Sequence, residues 1–66
     1  MCLLISFILA TAELFKNQGN DELRRKDSSN AILLYTKGIK VNCKDEELNA
    51  KLYNNRATAH FNLGEN

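Results

Sequence analysis

The side chains that most often do chemistry are scarce in this sequence, which has two cysteines, Cys2 and Cys43, and one histidine, His60. The cysteines are too few for a disulfide framework, and their spacing fits neither a CxxC pair nor a zinc site. His60 has no second imidazole with which to share a metal ion and no nucleophile beside it, so we predict a packed histidine. Inert thiols of this kind are typical of a cytosolic protein. The sequence therefore predicts no catalytic residue, no metal and no cofactor, and we do not expect an enzyme.

The charge of the chain is close to balanced. Its 66 residues include nine Lys and Arg against eight Asp and Glu, for a formal net charge of +1. This balance gives no long-range field that would attract nucleic acid or an anionic membrane. The basic run Arg24-Arg25-Lys26 is short, and cations at that place complement the exposed carbonyl groups at the end of a helix. Neither a nucleic acid nor a membrane is predicted as a partner.

The composition favours helices over strands. Hydrophobic residues make up 44% of the chain and charged residues 26%, as in a globular protein, and proline is absent. Apolar residues recur with a helical period in three stretches that are separated by two polar breaks. Ser28 or Ser29 is the expected N-cap of the second helix, and Asp45 is that of the third. We predict an all-α fold with helices at about residues 11–25, 30–41 and 46–63.

The same period predicts which sides of the helices are buried. The predicted stripe of the second helix comprises Ala31, Leu34, Tyr35, Gly38 and Ile39. The predicted apolar side of the third helix comprises Leu48, Leu52, Tyr53, Ala57 and Phe61. Gly64 is the expected stop of that helix.

Residues 1–11 differ from the rest of the chain because they contain no charged side chain. The stretch is too short to span a membrane, which takes about 20 apolar residues. One interpretation is an apolar helix that extends the next helix or packs on the rest of the fold. The other is a secretory signal that is cleaved after Ala10-Thr11-Ala12, although the basic residues that usually precede the apolar run are missing. Under the second interpretation the product would be a secreted peptide.

Small and aromatic residues recur at the intervals of a tetratricopeptide repeat, a helix–turn–helix unit of about 34 residues. The positions that carry this resemblance are Phe15, Gly19, Ala31, Tyr35 and Gly38 in a first unit, and Tyr53 and Ala57 in a second. The step from Phe15 to Tyr53 is about four residues longer than the usual period. The resemblance implies a partial repeat domain over 12–66, with about one and a half repeats. Repeat 1 would cover about 12–45, and helix A of repeat 2 about 46–64.

Three stretches, 15–20, 31–39 and 48–57, together resemble the carboxylate-clamp class of these repeats. Within that class, the long linker between the units resembles the tetratricopeptide repeat protein 4 family of co-chaperones. The resemblance implies docking of the acidic C-terminal tails, ending Glu-Glu-Val-Asp, of the 90-kDa and 70-kDa heat-shock chaperones. It assigns the clamp positions to Lys16, Asn20 and Asn55. Because Lys16 and Asn20 are four residues apart, an ammonium and an amide donor lie on one helical face, and both can donate to a carboxylate.

The sequence departs from that pattern at Glu22 and Ser28, where the family prefers aromatic residues. These 66 residues also lack the basic residues that a complete clamp takes from a third A helix, so we expect binding to be weaker by about 30- to 200-fold. A generic repeat scaffold that binds another peptide or a partner helix is the alternative function. Self-association through exposed apolar helix faces also stays open. The expected location is the cytoplasm or the nucleus.

Overall fold

The computed structural model describes residues 2–64, with side chains from Ser6 onwards. It contains three helices, α1 (Cys2–Arg24), α2 (Ser28–Lys40) and α3 (Glu46–Gly64). No strand occurs between residues 2 and 64, and the predicted all-α fold is confirmed. α2 packs against both α1 and α3, which touch each other less. Predictions that fall on Met1, Glu65 and Asn66, or on the side chain of Cys2, lie outside the described residues.

The apolar N-terminal stretch is the first part of α1, which begins about nine residues before the predicted start near Thr11. Ile8 and Leu9 are half-buried and pack against the core, whereas the ring of Phe7 is exposed. Residues 2–11 therefore extend the helix that carries Lys16 and Asn20. Among the described helices, none combines the length and the apolar character that crossing a bilayer requires.

The turn after α1 is a helix C-cap built on Lys26, whose φ of 66° lies in the left-handed region. The N–H of Lys26 donates to the carbonyl of Leu23, and the N–H of Asp27 donates to the carbonyl of Glu22. These two bonds form the Schellman arrangement, which satisfies carbonyl groups at the end of a helix and usually has glycine at the left-handed position. The chain thus turns sharply from α1 into α2 at Lys26, whose left-handed backbone conformation is unfavourable for residues that have a Cβ atom.

Glycine at position 26 is expected to stabilise the fold, because it removes the steric penalty of a side chain at positive φ. The Lys26→Gly variant should gain about 0.5–1 kcal/mol in the free energy of unfolding, measured by urea denaturation. Lys44→Gly is the matched control, since it removes the same charge from the loop before α3, where φ is not positive. Equal or lower stability of Lys26→Gly than of the control would contradict the C-cap assignment.

Both later helices begin at an aspartate. The side chain of Asp27 accepts the backbone N–H three residues further on at 3.1 Å, and the side chain of Asp45 does the same at 3.0 Å. The prediction of Asp45 as an N-cap is confirmed. The prediction of Ser28 or Ser29 is wrong, because α2 already begins at Ser28 and the residue before it supplies the capping carboxylate.

The core lies where α2 meets the other two helices. Its buried side chains are Ala12, Ala31, Tyr35, Cys43, Leu48, Leu52 and Ala59. Tyr35 and Leu52 are the largest of these, and both are fully buried. The predicted stripe of α2 is confirmed, since Ala31, Tyr35 and Gly38 are buried and its other two members are half-buried.

α3 carries two apolar stripes, and one of them faces the core. The buried stripe consists of Leu48, Leu52 and Ala59, and the exposed stripe consists of Tyr53, Ala57 and Phe61. The predicted apolar side is confirmed for Leu48 and Leu52. It is wrong for the other three residues, because neighbouring helical residues such as Leu52 and Tyr53 point about 100° apart. The prediction of a packed His60 was also wrong, since this residue is exposed beside Phe61.

Candidate functional site

The three helices meet in a polar cluster around the side-chain oxygen of Asn20. The hydroxyl of Tyr35, on α2, donates to the Oδ1 atom of Asn20 at 2.5 Å. The Nδ2 group of Asn55, on α3, donates to the same oxygen at 3.1 Å. Two of the three predicted clamp residues are therefore in direct contact, although they are 35 residues apart in sequence. Asn20, Tyr35 and Asn55 form the Asn20 cluster.

Gly19 allows the ring of Tyr35 to approach the backbone of α1. A Cβ atom at position 19 would lie 2.5 Å from Cε1 and 3.0 Å from Cζ of Tyr35, which is closer than carbon atoms can pack. Because Asn20 follows Gly19 directly, a ring that lies on Gly19 carries its hydroxyl to the Asn20 side chain. Gly19 therefore permits the close approach in which the hydroxyl of Tyr35 reaches Asn20.

The hydrogen bonds of the Asn20 cluster leave amide donors available for a ligand. An amide oxygen has two lone pairs, and both are used by Tyr35 and Asn55, so the Nδ2 group of Asn20 points away from these residues and retains both of its hydrogens. Asn55 retains one N–H. Both asparagines are half-buried. Uncharged donors fixed in this way suit a carboxylate, whose hydrogen bonds are about twice as strong as neutral ones.

Lys16 lies one turn before Asn20 on α1, and its side chain is 14% exposed. Its ammonium group is 3.6 Å from the carboxylate of Glu13, which lies on the same helix. Lys16 and Glu13 line a groove of about 160 Å³ beside the start of α3 together with Leu9, Asp45, Glu47, Leu48 and Lys51. The structure thus does not join Lys16 to the other two predicted residues: the groove that Lys16 lines includes neither asparagine, and its partner is a carboxylate of the chain itself. A bound carboxylate would compete with Glu13 for this lysine.

Arg56 holds α3 against α2 next to Asn55. Its guanidinium donates to the hydroxyl of Thr36 at 3.2 Å, and its central carbon lies 5.2 Å from the centre of the Tyr53 ring. The first contact connects two helices, and the second lies within α3. The part of α3 that carries Asn55 is therefore attached to α2.

The hydroxyl of Tyr35 stays protonated across the neutral range. Burial raises the pKa of this phenol above its ordinary value of about 10, and the positive charge of Arg24 offsets part of that effect. A phenol in its neutral form is a hydrogen-bond donor, as the contact with Asn20 requires.

Two groups of the site region were missed in the sequence. Tyr35 was assigned to packing alone, although a buried tyrosine usually needs a partner for its hydroxyl. Asn49 was not assigned a structural role, yet its Nδ2 group donates to the carbonyl of Cys43 at 2.8 Å, and the Cys43 thiol donates to its Oδ1 atom at 3.6 Å. Asn49 therefore fixes the loop before α3. In the described range, no group of three or more His, Cys, Asp and Glu residues is placed to hold a metal ion.

The fold and the packing define the class of protein. α1 and α2 form a helix–turn–helix unit with Tyr35 packed on Gly19, and α3 begins a second unit that packs on α2 and also contacts α1. The chain belongs to the tetratricopeptide repeat proteins.

Comparisons with known proteins identify the relatives within that class. The chain is 47% identical to human "Tetratricopeptide repeat protein 4" over 53 residues, which are 80% of this chain and 14% of that protein. It is 44% identical to the "Hsp70/Hsp90 co-chaperone CNS1" of Saccharomyces cerevisiae over 52 residues, 79% of this chain and 14% of that protein. No protein-family profile and no solved structure matches the chain significantly. The resemblance to the tetratricopeptide repeat protein 4 family is confirmed, and the chain spans about one seventh of the length of these relatives.

Proposed function

We propose that this chain is part of a co-chaperone-like protein and docks the acidic C-terminal tail of a heat-shock chaperone through Lys16, Asn20 and Asn55. The observation that carries the proposal is the hydrogen-bonded pair of Asn20 and Asn55, which gathers amide donors from two helices at one point. The yeast relative is named a co-chaperone of Hsp70 and Hsp90, which supports chaperones as the partner class. The role is binding without catalysis.

The chemistry of the tail matches the chemistry of the site. A C-terminal aspartate carries two carboxylates close together, and the site offers one ammonium group and two amides. Hydrogen bonds to a charged group contribute about 1.5–3 kcal/mol each, and a micromolar complex needs about 8 kcal/mol after the entropy lost on association. Three contacts provide this free energy only if the side chains are held in place before the ligand binds. The hydrogen bond between Asn20 and Asn55 supports such preorganisation.

The proposal also assigns the parts of the chain. Repeat 1, over about 12–45, would supply Lys16 and Asn20, and helix A of repeat 2, over about 46–64, would supply Asn55. Residues 2–11 would act as a helical extension whose residues Ile8 and Leu9 cover the core. The bound tail would then lie across α1 and α3, in contact with Lys16 and with the two asparagines.

Titration with a peptide that ends in Glu-Glu-Val-Asp tests the proposal. We expect the free-acid peptide to bind at least about tenfold more tightly than the same peptide with a C-terminal amide, because the amide removes one of the two terminal carboxylates. Isothermal titration calorimetry at low salt gives both dissociation constants. Equal affinity for the two peptides would contradict a carboxylate clamp and would favour the generic repeat scaffold.

The chain offers a matched pair of variants for the same titration. Asn55→Ala should weaken binding of the free-acid peptide by about tenfold or more, through loss of a hydrogen bond to a charged group. Asn54→Ala removes an exposed amide one position earlier on α3 and should bind as the unmodified chain does. If both variants lose affinity equally, the effect comes from α3 as a whole and the assignment of Asn55 fails.

A further inference from the structure

The side-chain amide of Asn20 has two possible orientations, which present different groups to a ligand. An asparagine side chain can turn by 180°, exchanging its oxygen and its amino group at almost no steric cost. In this structure the oxygen faces Tyr35 and Asn55, and the amino group faces outward. A carboxylate ligand needs this orientation, because the opposite one would present a carbonyl oxygen to its negative charge.

Asn55 alone cannot fix the orientation. Two facing amides can turn together and exchange donor and acceptor, so their mutual hydrogen bond survives in either state. The hydroxyl of Tyr35 breaks this equivalence. If Asn20 turned, the phenol hydrogen would lose its acceptor within a fully buried residue, and an unsatisfied buried donor is strongly unfavourable. Among the described side chains, no buried polar atom lacks a partner at present.

The position of the hydroxyl is itself fixed by packing. The ring of Tyr35 is fully buried and lies against Gly19, so the hydroxyl cannot move away from Asn20 without disturbing the contact between α1 and α2. The raised pKa of the phenol keeps its hydrogen in place at all pH values below its titration. The hydroxyl is thus packed beside Asn20 and is protonated at neutral pH.

We propose that Tyr35 is a positioning residue of the binding site, whose hydroxyl holds Asn20 with its amino group toward the ligand carboxylate. This inference rests on the proposed function for the identity of the ligand. It assigns to one buried phenol a part in discriminating a carboxylate from an amide. Tyr35 does this without touching the ligand.

The test compares Tyr35→Phe with Tyr53→Phe, which removes an exposed hydroxyl from α3. Tyr35→Phe should lower the preference for the free-acid over the amidated peptide by about three- to tenfold, and Tyr53→Phe should leave the preference unchanged. In an Asn20→Ala background, Tyr35→Phe should cause no further change, because its effect acts through Asn20. An unchanged preference in Tyr35→Phe, or an equal further loss in the Asn20→Ala background, would overturn the inference. Urea denaturation of each variant shows whether the fold is retained.

NMR of the asparagine side-chain amides keeps this inference separate from the proposed function. In the free chain, the Nδ2 hydrogens of Asn20 should give one set of signals, and Tyr35→Phe should shift them and broaden them by exchange between two orientations. Signals that are the same in both chains would overturn the positioning role, whatever the peptide titrations show. If the unmodified chain fails to distinguish free acid from amide, the proposed function fails, and the NMR comparison still decides the role of Tyr35.

Discussion

Alanine at position 52 is expected to remove about 2–5 kcal/mol from the free energy of unfolding. Leu52 is fully buried, and its methyl groups lie so close to α2 that a Cβ atom on Gly38 would be 2.8 Å from Cδ2. Truncation therefore leaves a cavity between α2 and α3 that the backbone cannot easily close. A chain of this size has roughly 3–10 kcal/mol of stability in total, so the variant should lose a large share of it. Circular dichroism at 222 nm during urea denaturation measures the change.

The control for this prediction is Leu33→Ala, which makes the same change at a position of α2 that is 52% exposed. An exposed leucine has little area to lose, so its effect should stay within about 0.5 kcal/mol. Similar losses in both variants would mean that helix propensity, and not packing between α2 and α3, sets the stability.

The second large effect is expected from Gly19→Ala. Alanine favours a helix over glycine by about 1 kcal/mol, yet its Cβ atom would lie 2.5 Å from the buried ring of Tyr35. Overpacking a buried ring is unfavourable by about 1–3 kcal/mol or more, and here the displaced ring would also draw its hydroxyl away from Asn20. We therefore expect a net loss of stability, measured by urea denaturation, together with a weaker preference for free-acid peptides.

Gly38→Ala is the matched comparison, since it places a methyl group on the next helix with a different neighbour. The nearest atom is Cδ2 of Leu52, a terminal methyl group at 2.8 Å, whereas the atoms nearest to Gly19 belong to a rigid aromatic ring. This variant should be much less destabilised than Gly19→Ala and should retain its selectivity for the free acid. Greater stability of Gly19→Ala than of the unmodified chain would contradict the close approach of α1 and α2.

The sequence was sufficient to predict the number and type of the elements, because three stretches have a helical period and polar breaks separate them. The sequence was not sufficient where two structural arrangements have the same pattern of apolar residues. The apolar residues before Thr11 carry no cap or charge to mark a helix start, so the sequence left a helix extension and a signal segment both open, and α1 in fact begins at Cys2. On α3, both Leu52 and Tyr53 fit an apolar side, and only the position of α2 decides between them.

The candidate site, too, was only partly predictable from the sequence. The positions of Lys16, Asn20 and Asn55 came from a resemblance, and their role stays a prediction. What the sequence could not give was the contact between Asn20 and Asn55, since it depends on how α3 lies across α1. The ion pair of Lys16 with Glu13 was open to prediction, because the two residues are three apart on one helix, yet acidic neighbours of that lysine were not considered.

The Oδ1 atom of Asn20 receives one hydrogen bond from each of the other helices, and this has a thermodynamic consequence. Any molecule that engages the amides there recognises the assembled state alone, since the unfolded chain has no such meeting point. By mass action, a peptide at a hundred times its dissociation constant would add about 2.7 kcal/mol to stability. For a chain of this size, binding of the partner and folding of the three helices would then be coupled in one equilibrium.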